Sequence, residues 1–346
     1  MSFSESVRST MKLYMLKKIR EDDPRFIRKT AENFQISDTS VRRYIRECMN
    51  VQVISENPHT KCGFALTQTQ QHFSWQRDQA LYEEQLYQQI LPHLSSLNQN
   101  AENILAYIFM EIMNNAIEHA QAQNIQCHLL QDSLYTELSI VDDGTGIFRV
   151  ITDYLNEHGG MNAGFEDAIL ELYKGKFTTQ PEHHSGEGIF FSSRLADSFS
   201  ILSENHIFAV HEDRSNSLIQ SHLLAYYTDF YRIGTAVAFQ IANHTEREPK
   251  AVFDEYANVE DGFIKTRIPL AEACPYGKPI SRSQARRILY RLDQFRSVEL
   301  DFSNIDFIGQ GFADEIFRVF KNQHPEVEII PVHAEPFIEQ MIRHVR

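Results

Sequence analysis

The chain has 346 residues, 42% of them apolar and 23% charged, with a formal net charge of −14. It is long enough for two or three cores, has no apolar run near the ~18 residues of a membrane span, and is too acidic to coat nucleic acid over its whole surface. Residues 1–60 run against that balance, with eleven Lys and Arg to eight Asp and Glu, so a local basic module stays open. Met1-Ser-Phe-Ser-Glu-Ser6 lacks the basic-then-apolar pattern of a secretory leader. Cys48, Cys62, Cys127 and Cys274 form no Cys-x-x-Cys pair. Reduced thiols in a cytoplasmic protein, with no membrane contact, are the expectation.

Met11, Tyr14, Met15 and Ile19 recur at helical spacing between Val7 and Arg20. Asp22-Asp-Pro24 breaks that pattern and opens a second helix to about Phe34, with Asp23 as its cap. Asp38-Thr-Ser40 caps a third, Val41 to Met49, in which Val41, Ile45 and Cys48 share one face while Arg42, Arg43 and Arg46 point elsewhere. Val51 to Ile54 and Gly63 to Leu66 form a small hairpin. Helix, helix, turn, helix and hairpin over about residues 6–68 resemble a winged helix-turn-helix. That resemblance implies that the third helix enters the major groove, with Arg42, Arg43 and Arg46 reading guanine or gripping phosphate. A solvated helix face on a dimerisation or docking module fits the same residues.

Trp75 to Leu97 reads as a helix, and Ala101 to Ala120 as a longer one with Ile104, Leu105, Ile108, Ile112 and Ala116 in a stripe. Glu111 and Asn115 lie one turn apart and project from one face. Ile125 to Leu130 and Tyr135 to Val141 read as strands. The second runs into Asp142-Asp-Gly144-Thr-Gly146, where a carboxylate beside two glycines can accept from an exocyclic amine and a flat base can approach the backbone. A plain Asp-Gly hairpin turn is the competing reading. Lys174-Gly-Lys176 and Thr178-Thr179 lack periodicity and suit a mobile lid offering a cation and hydroxyls. Ser185-Gly-Glu-Gly188 then opens a helix from Ile189 to Asp197, and glycine-rich helix N-termini bind phosphate. Gly234-Thr235 leads into a closing strand, Ala236 to Ile241.

In this order the four signals, over about residues 75–242, resemble the Bergerat-fold ATP-binding (GHKL) domain of gyrase, heat-shock chaperones and histidine kinases. The resemblance implies ATP and Mg²⁺ as cofactors. Asn115 holds the metal ion, Asp142 accepts from the adenine amine, Gly144 and Gly146 admit the base, and Thr235 assists through water. Ser185, Gly186, Glu187 and Gly188 wrap the triphosphate, with Lys176 and Thr178 near it, and Glu111 is the general base. Glu at position 111 matches the hydrolases and the anti-sigma serine kinases, whereas sensor histidine kinases usually carry Asn there. His72 and His93 are followed by Phe73 and Leu94 rather than by an acid, which argues against a two-component kinase. The second glycine box is shorter than in many relatives, which leaves the turnover rate open.

His244 to Lys250 is polar, contains Pro249 and marks a boundary. Beyond it strands at Phe263–Ile268, Val298–Phe302 and Val327–Val332 alternate with helices at Ser281–Phe295, Ala313–Phe320 and Pro336–Val345. The run Leu300 to Phe317 resembles STAS-like domains (DUF4325 type), the fold of anti-anti-sigma factors. Where those factors carry a phosphorylated Ser, the turn here reads Gly309-Gln-Gly311, so a binding module without an obvious acceptor is expected; Ser303 is the nearest hydroxyl.

The expected fold is α/β multidomain. Residues 1–68 form a winged helix, 69–245 a Bergerat α/β sandwich with a mixed sheet and helices on one face, and 260–346 a STAS-like α/β domain. The expected function is a slow Mg-dependent ATPase coupling nucleotide state to DNA binding and to an unknown protein partner, in a chain that could pair as a homodimer. A serine/threonine kinase of anti-sigma type and a non-catalytic nucleotide-dependent scaffold are the alternatives.

Overall fold

The computed structural model describes residues 4–77, 81–160, 162–179, 186–211, 233–258, 260–274 and 278–346. Three helices open it: α1 (Glu5–Arg20), α2 (Phe26–Phe34) and α3 (Asp38–Asn50). The cap of α3 is Ser37, not the expected 38–40 stretch. Its extended backbone lets the hydroxyl accept from the Ser40 amide at 3.2 Å, which leaves Asp38 in the first turn, where its charge opposes the helix dipole. Val41, Tyr44, Ile45 and Cys48 of α3 bury against Met11, Met15 and Ile19 of α1. The hairpin of β1 (Ile54–Glu56) and β2 (Phe64–Leu66) closes this core.

The next element corrects the sequence reading. Trp75 lies not in a helix but in a strand, β3 (Thr69–Gln76), and α4 (Glu83–Ile90) begins later. Thr, Phe and Trp favour a pleated surface. The strand pairs antiparallel with β4, and the Trp75 indole N–H donates to Gln89 Oε1 at 3.0 Å. Then follow α5 (Gln99–Asn114), which ends in a π-helical turn over Asn115–His119, β4 (Asn124–Gln131) and β5 (Tyr135–Asp142). Two helices not foreseen come next, α6 (Ile147–His158) and α7 (Phe165–Lys174), and after them α8 (Gly188–Leu195). Strands β6 (Ser198–Ser203), β7 (His206–His211) and β8 (Thr235–Ala242) complete a six-stranded sheet in the order β3-β4-β5-β8-β6-β7.

A mixed sheet was expected here; every pairing among the six described strands is antiparallel. The short β4–β5 and β6–β7 connections are hairpins, and a hairpin reverses the chain. Alternate residues share one face: Ile125, Cys127 and Leu129, Leu138 and Ile140, Val237, Phe239 and Ile241. They pack under Ile104, Ile108 and Ile112 of α5.

After α9 (Pro249–Tyr256) comes a parallel three-stranded sheet, β9 (Lys265–Pro269), β10 (Ser297–Asp301) and β11 (Glu328–Val332), in that order. It is wrapped by α10 (Arg282–Leu289), by α11 (Gln310–Asp314) with its π-helical continuation to Phe320, and by α12 (Pro336–Val345). This core does not stop at its own elements. It takes in Leu170 of α7 and Phe190 and Phe191 of α8. Phe263 is the pivot, its ring 4.6 Å from Phe190 and 5.3 Å from both Phe191 and Phe295. Phe263→Ala should therefore cost roughly 3–5 kcal/mol, read as a lower denaturant midpoint.

Candidate functional site

A cavity of about 420 Å³ opens between α5, the end of β5 and the N-terminus of α8. Glu111, Asn115, Asp142, Gly146, Thr178, Gly186, Glu187, Gly188 and Thr235 all line it. Glu111 and Asn115 reach it together because they are one turn apart. The chain then leaves α-helical geometry at Asn115, and such π turns recur at functional sites.

Asp142 is 5% exposed at the end of a buried strand. Its Oδ1 accepts from the amides of Gly144 at 2.8 Å and Thr235 at 3.3 Å. Its other oxygen has no hydrogen-bond partner among the described residues. Burial pushes its pKa up to about 7, against the two amide bonds that lower it. The neighbouring Asp143 goes the other way: burial raises it, but bonds from Asn124 and Gln123 outweigh that. Two adjacent carboxylates thus have opposite duties, one tying a turn and one held in a cavity.

Two glycines stand at the edge of the cavity. A Cβ on Gly188 would sit 2.0 Å from Glu111 Oε2, so a side chain there would push the Glu111 carboxylate out of its present place. Gly146 has φ +95° and caps α6, where the Ile147 amide donates to Thr235 Oγ1 at 3.0 Å. Gly144 has a different role from the one expected. It does not line the cavity, and the space at its Cβ is taken by the Ala120 carbonyl.

Lys176 also lies elsewhere. Its ammonium donates to the Gln294 carbonyl at 3.0 Å and sits over the rings of Phe263 and Phe295; it lines a neighbouring cleft instead. Ser185 falls outside the described residues. Sequence reasoning missed Tyr107, Phe253 and Glu171, which also line the cavity. Burial raises the pKa of the Tyr107 phenol, with help from Glu111 and Glu187. Only the helical stripe through Tyr107 and Glu111, four residues apart, hinted at this.

Arg42, Arg43 and Arg46 are all exposed on α3. Arg43 is drawn aside, 3.7 Å from Glu47 and over the Tyr44 ring. Arg42 and Arg46 are one turn apart, with no ion pair among the described residues.

The raised pKa of Asp142 carries a stability signature. The folded state holds its proton up to about pH 7 while the unfolded chain releases it near 3.8. Stability should fall as pH rises between those values and level off above. Asp142→Asn keeps the acceptor but removes the charge. It should stabilise the ligand-free protein at pH 8 by roughly 1–4 kcal/mol, with the difference gone near pH 4, as followed by thermal unfolding.

No curated protein sequence matches the chain. Residues 284–338 match the STAS-like domain of unknown function (DUF4325), a span from within α10 to the start of α12 that includes Tyr290, Arg291 and Gln294.

Proposed function

We propose that the protein is an ATP-binding, slowly ATP-hydrolysing regulator. In this reading residues 69–245 form a Bergerat-type nucleotide domain, the first 68 a winged helix-turn-helix that contacts DNA, and the C-terminal STAS-like part meets a protein partner. The observation that carries it is the unengaged oxygen of Asp142 in a cavity that also holds Glu111, Asn115 and the Gly186–Gly188 turn. A buried acceptor with its other oxygen fixed by two amides is pre-oriented for an adenine amine.

Asn115 would place its amide oxygen on Mg²⁺. This ion takes hard oxygen donors and completes its shell with phosphates and water, so one protein oxygen suffices. A metal ion held there would supply positive charge to offset that of the phosphates. Glu111 would orient and deprotonate the attacking water, and the amides of Gly186 and Gly188 would face the phosphate oxygens. Because an ionised carboxylate holds the amine more strongly than a protonated one, affinity should fall as pH drops through 7, by up to roughly tenfold between pH 8 and pH 6.

Titration of the full chain with a non-hydrolysable ATP analogue tests this. Asp142→Ala and Asn115→Ala should each weaken binding at least about tenfold, and unchanged affinity in both would end the nucleotide reading. With γ-labelled ATP, label released as phosphate and lost in Glu111→Gln supports hydrolysis. Label on a protein serine would turn the assignment to a kinase, and no turnover would turn it to a scaffold.

The DNA part rests on Arg42 and Arg46. Double substitution by Ala should weaken duplex binding and flatten the log–log salt dependence by roughly 2. An unchanged slope would reassign α3 to protein docking.

A further inference from the structure

A second cleft, of about 610 Å³, lies where α6 and the segment after α7 face the STAS-like part. Phe177, Thr178 and Glu187 are its common wall with the first cavity. Tyr154 and His158 of α6 form one side, Tyr290 and Arg291 another.

Two opposite charges stand in this cleft without ion-pair partners among the described residues. Lys176 follows Gly175, and the two residues have φ of +58° and +77°. A left-handed non-glycine residue costs of order 1 kcal/mol and persists only where its surroundings demand it. Here the turn delivers the ammonium to the cleft, where it meets one carbonyl oxygen, that of Gln294, and lies over the rings of Phe295 and Phe263. No carboxylate lies within ion-pair distance of it among the described residues. The Glu187 side chain is likewise without a hydrogen bond or ion pair among them. Burial lowers the Lys176 pKa and raises that of Glu187, and each partly offsets the other's shift through space. The remaining cation, Arg291, is already committed to Glu171 Oε2 and the Lys176 carbonyl, both at 2.8 Å.

Aromatic rings make up part of the otherwise polar walls. His158 stacks on Tyr154 at 4.5 Å, and Phe177 meets the same Tyr154 ring edge-on at 5.5 Å. A cation and an anion that meet no opposite charge at ion-pair distance among the described residues, beside aromatic rings, describe the complement of a small zwitterion with an aromatic side chain. We infer that this cleft is a binding site for a free aromatic amino acid, its carboxylate on Lys176, its ammonium on Glu187 and its ring among Tyr154, Phe177 and Tyr290. Sites between packed units are common places for small ligands. The inference does not rest on the nucleotide reading, since none of these contacts requires ATP.

Calorimetric titration of the full chain with L-phenylalanine tests it, alongside phenylethylamine, which lacks the carboxylate, and 3-phenylpropionate, which lacks the ammonium. L-Phenylalanine should bind at least about tenfold more tightly than either analogue. Lys176→Met should weaken L-phenylalanine and 3-phenylpropionate but not phenylethylamine, and Glu187→Gln should weaken L-phenylalanine and phenylethylamine but not 3-phenylpropionate. Asp142→Ala should leave all three unchanged, which separates this site from the nucleotide cavity. Equal affinity for the three compounds, no binding up to about 10 mM, or loss in Asp142→Ala would overturn the inference. The comparison of compounds on the unaltered protein stands even if a variant fails to fold.

Discussion

A fully buried ammonium joins the two large cores. Lys174, at the end of α7, is 1% exposed. It donates to Glu171 Oε1 at 2.7 Å and to the Tyr290 carbonyl at 2.8 Å, with the Arg287 carbonyl at 3.3 Å. Glu171 spends its other oxygen on Arg291, and Arg287 reaches Asp167 at 2.7 Å. Thr266 of β9 closes the set by donating to the Lys174 carbonyl. Burial lowers the Lys174 pKa, with a smaller push from Arg291, and the nearby Glu171 opposes that shift. A buried ion pair adds little net stability over an apolar replacement, but removing one partner is expensive. Its contribution is specificity of placement: α7 fits the STAS-like part in one register, because any slip strands a charge.

That register fixes the cavity. Glu171, Gly175, Phe177 and Thr178 line it from the same stretch that carries Lys174 and Lys176. One side of this segment is cavity wall and the other is interdomain contact, so the two cannot move independently. The contact is also incompletely satisfied. Arg194 on α8 is half-buried, with Nη2 3.3 Å from the Arg267 carbonyl and its face on Phe190, while its buried Nε has no acceptor among the described residues. A buried donor left unmade costs about 1–3 kcal/mol. A satisfied ammonium on α7 and an undersatisfied guanidinium on α8 make a junction that is held but not at its optimum. The N-terminal helices attach at the far end of the sheet by a looser device: Leu134 of the β4–β5 turn enters their core, and Arg20 lies over Tyr135 and 3.5 Å from Asp132.

What was legible in the sequence follows from range. β4, β5, β8 and α12 were read within a residue or two, because each carries its own alternation or helical stripe between clear breakers. Asp142, Glu111 and Asn115 converge because strand end and helix face fix their directions locally. Trp75 misled, since a Gln-rich run has no period and only pairing with β4 decides it. The helices α6 and α7 passed unnoticed. The stretch around Lys174 shows no clean amphipathic face because it is buried on two sides, its charged residues answered by partners more than a hundred positions away. Lys176 was placed at the phosphates by the same gap: nothing near it in sequence announces Gln294 or Phe295.

The charge pattern of the whole chain acquires a physical sense from this. The excess acid lies outside the first 60 residues, yet the acids that matter at the junction, Asp167 and Glu171, are neutralised by Arg287 and Arg291 from the STAS-like part. Separating the two would expose both carboxylates and strand the Lys174 ammonium beside them. Any ligand that reshapes the segment from Glu171 to Thr178 must therefore act against these ion pairs, and whatever loosens them must alter the cavity by the same free energy. Coupling here would not need a long relay. It would need one eight-residue segment with a ligand cavity on one side and a second core on the other.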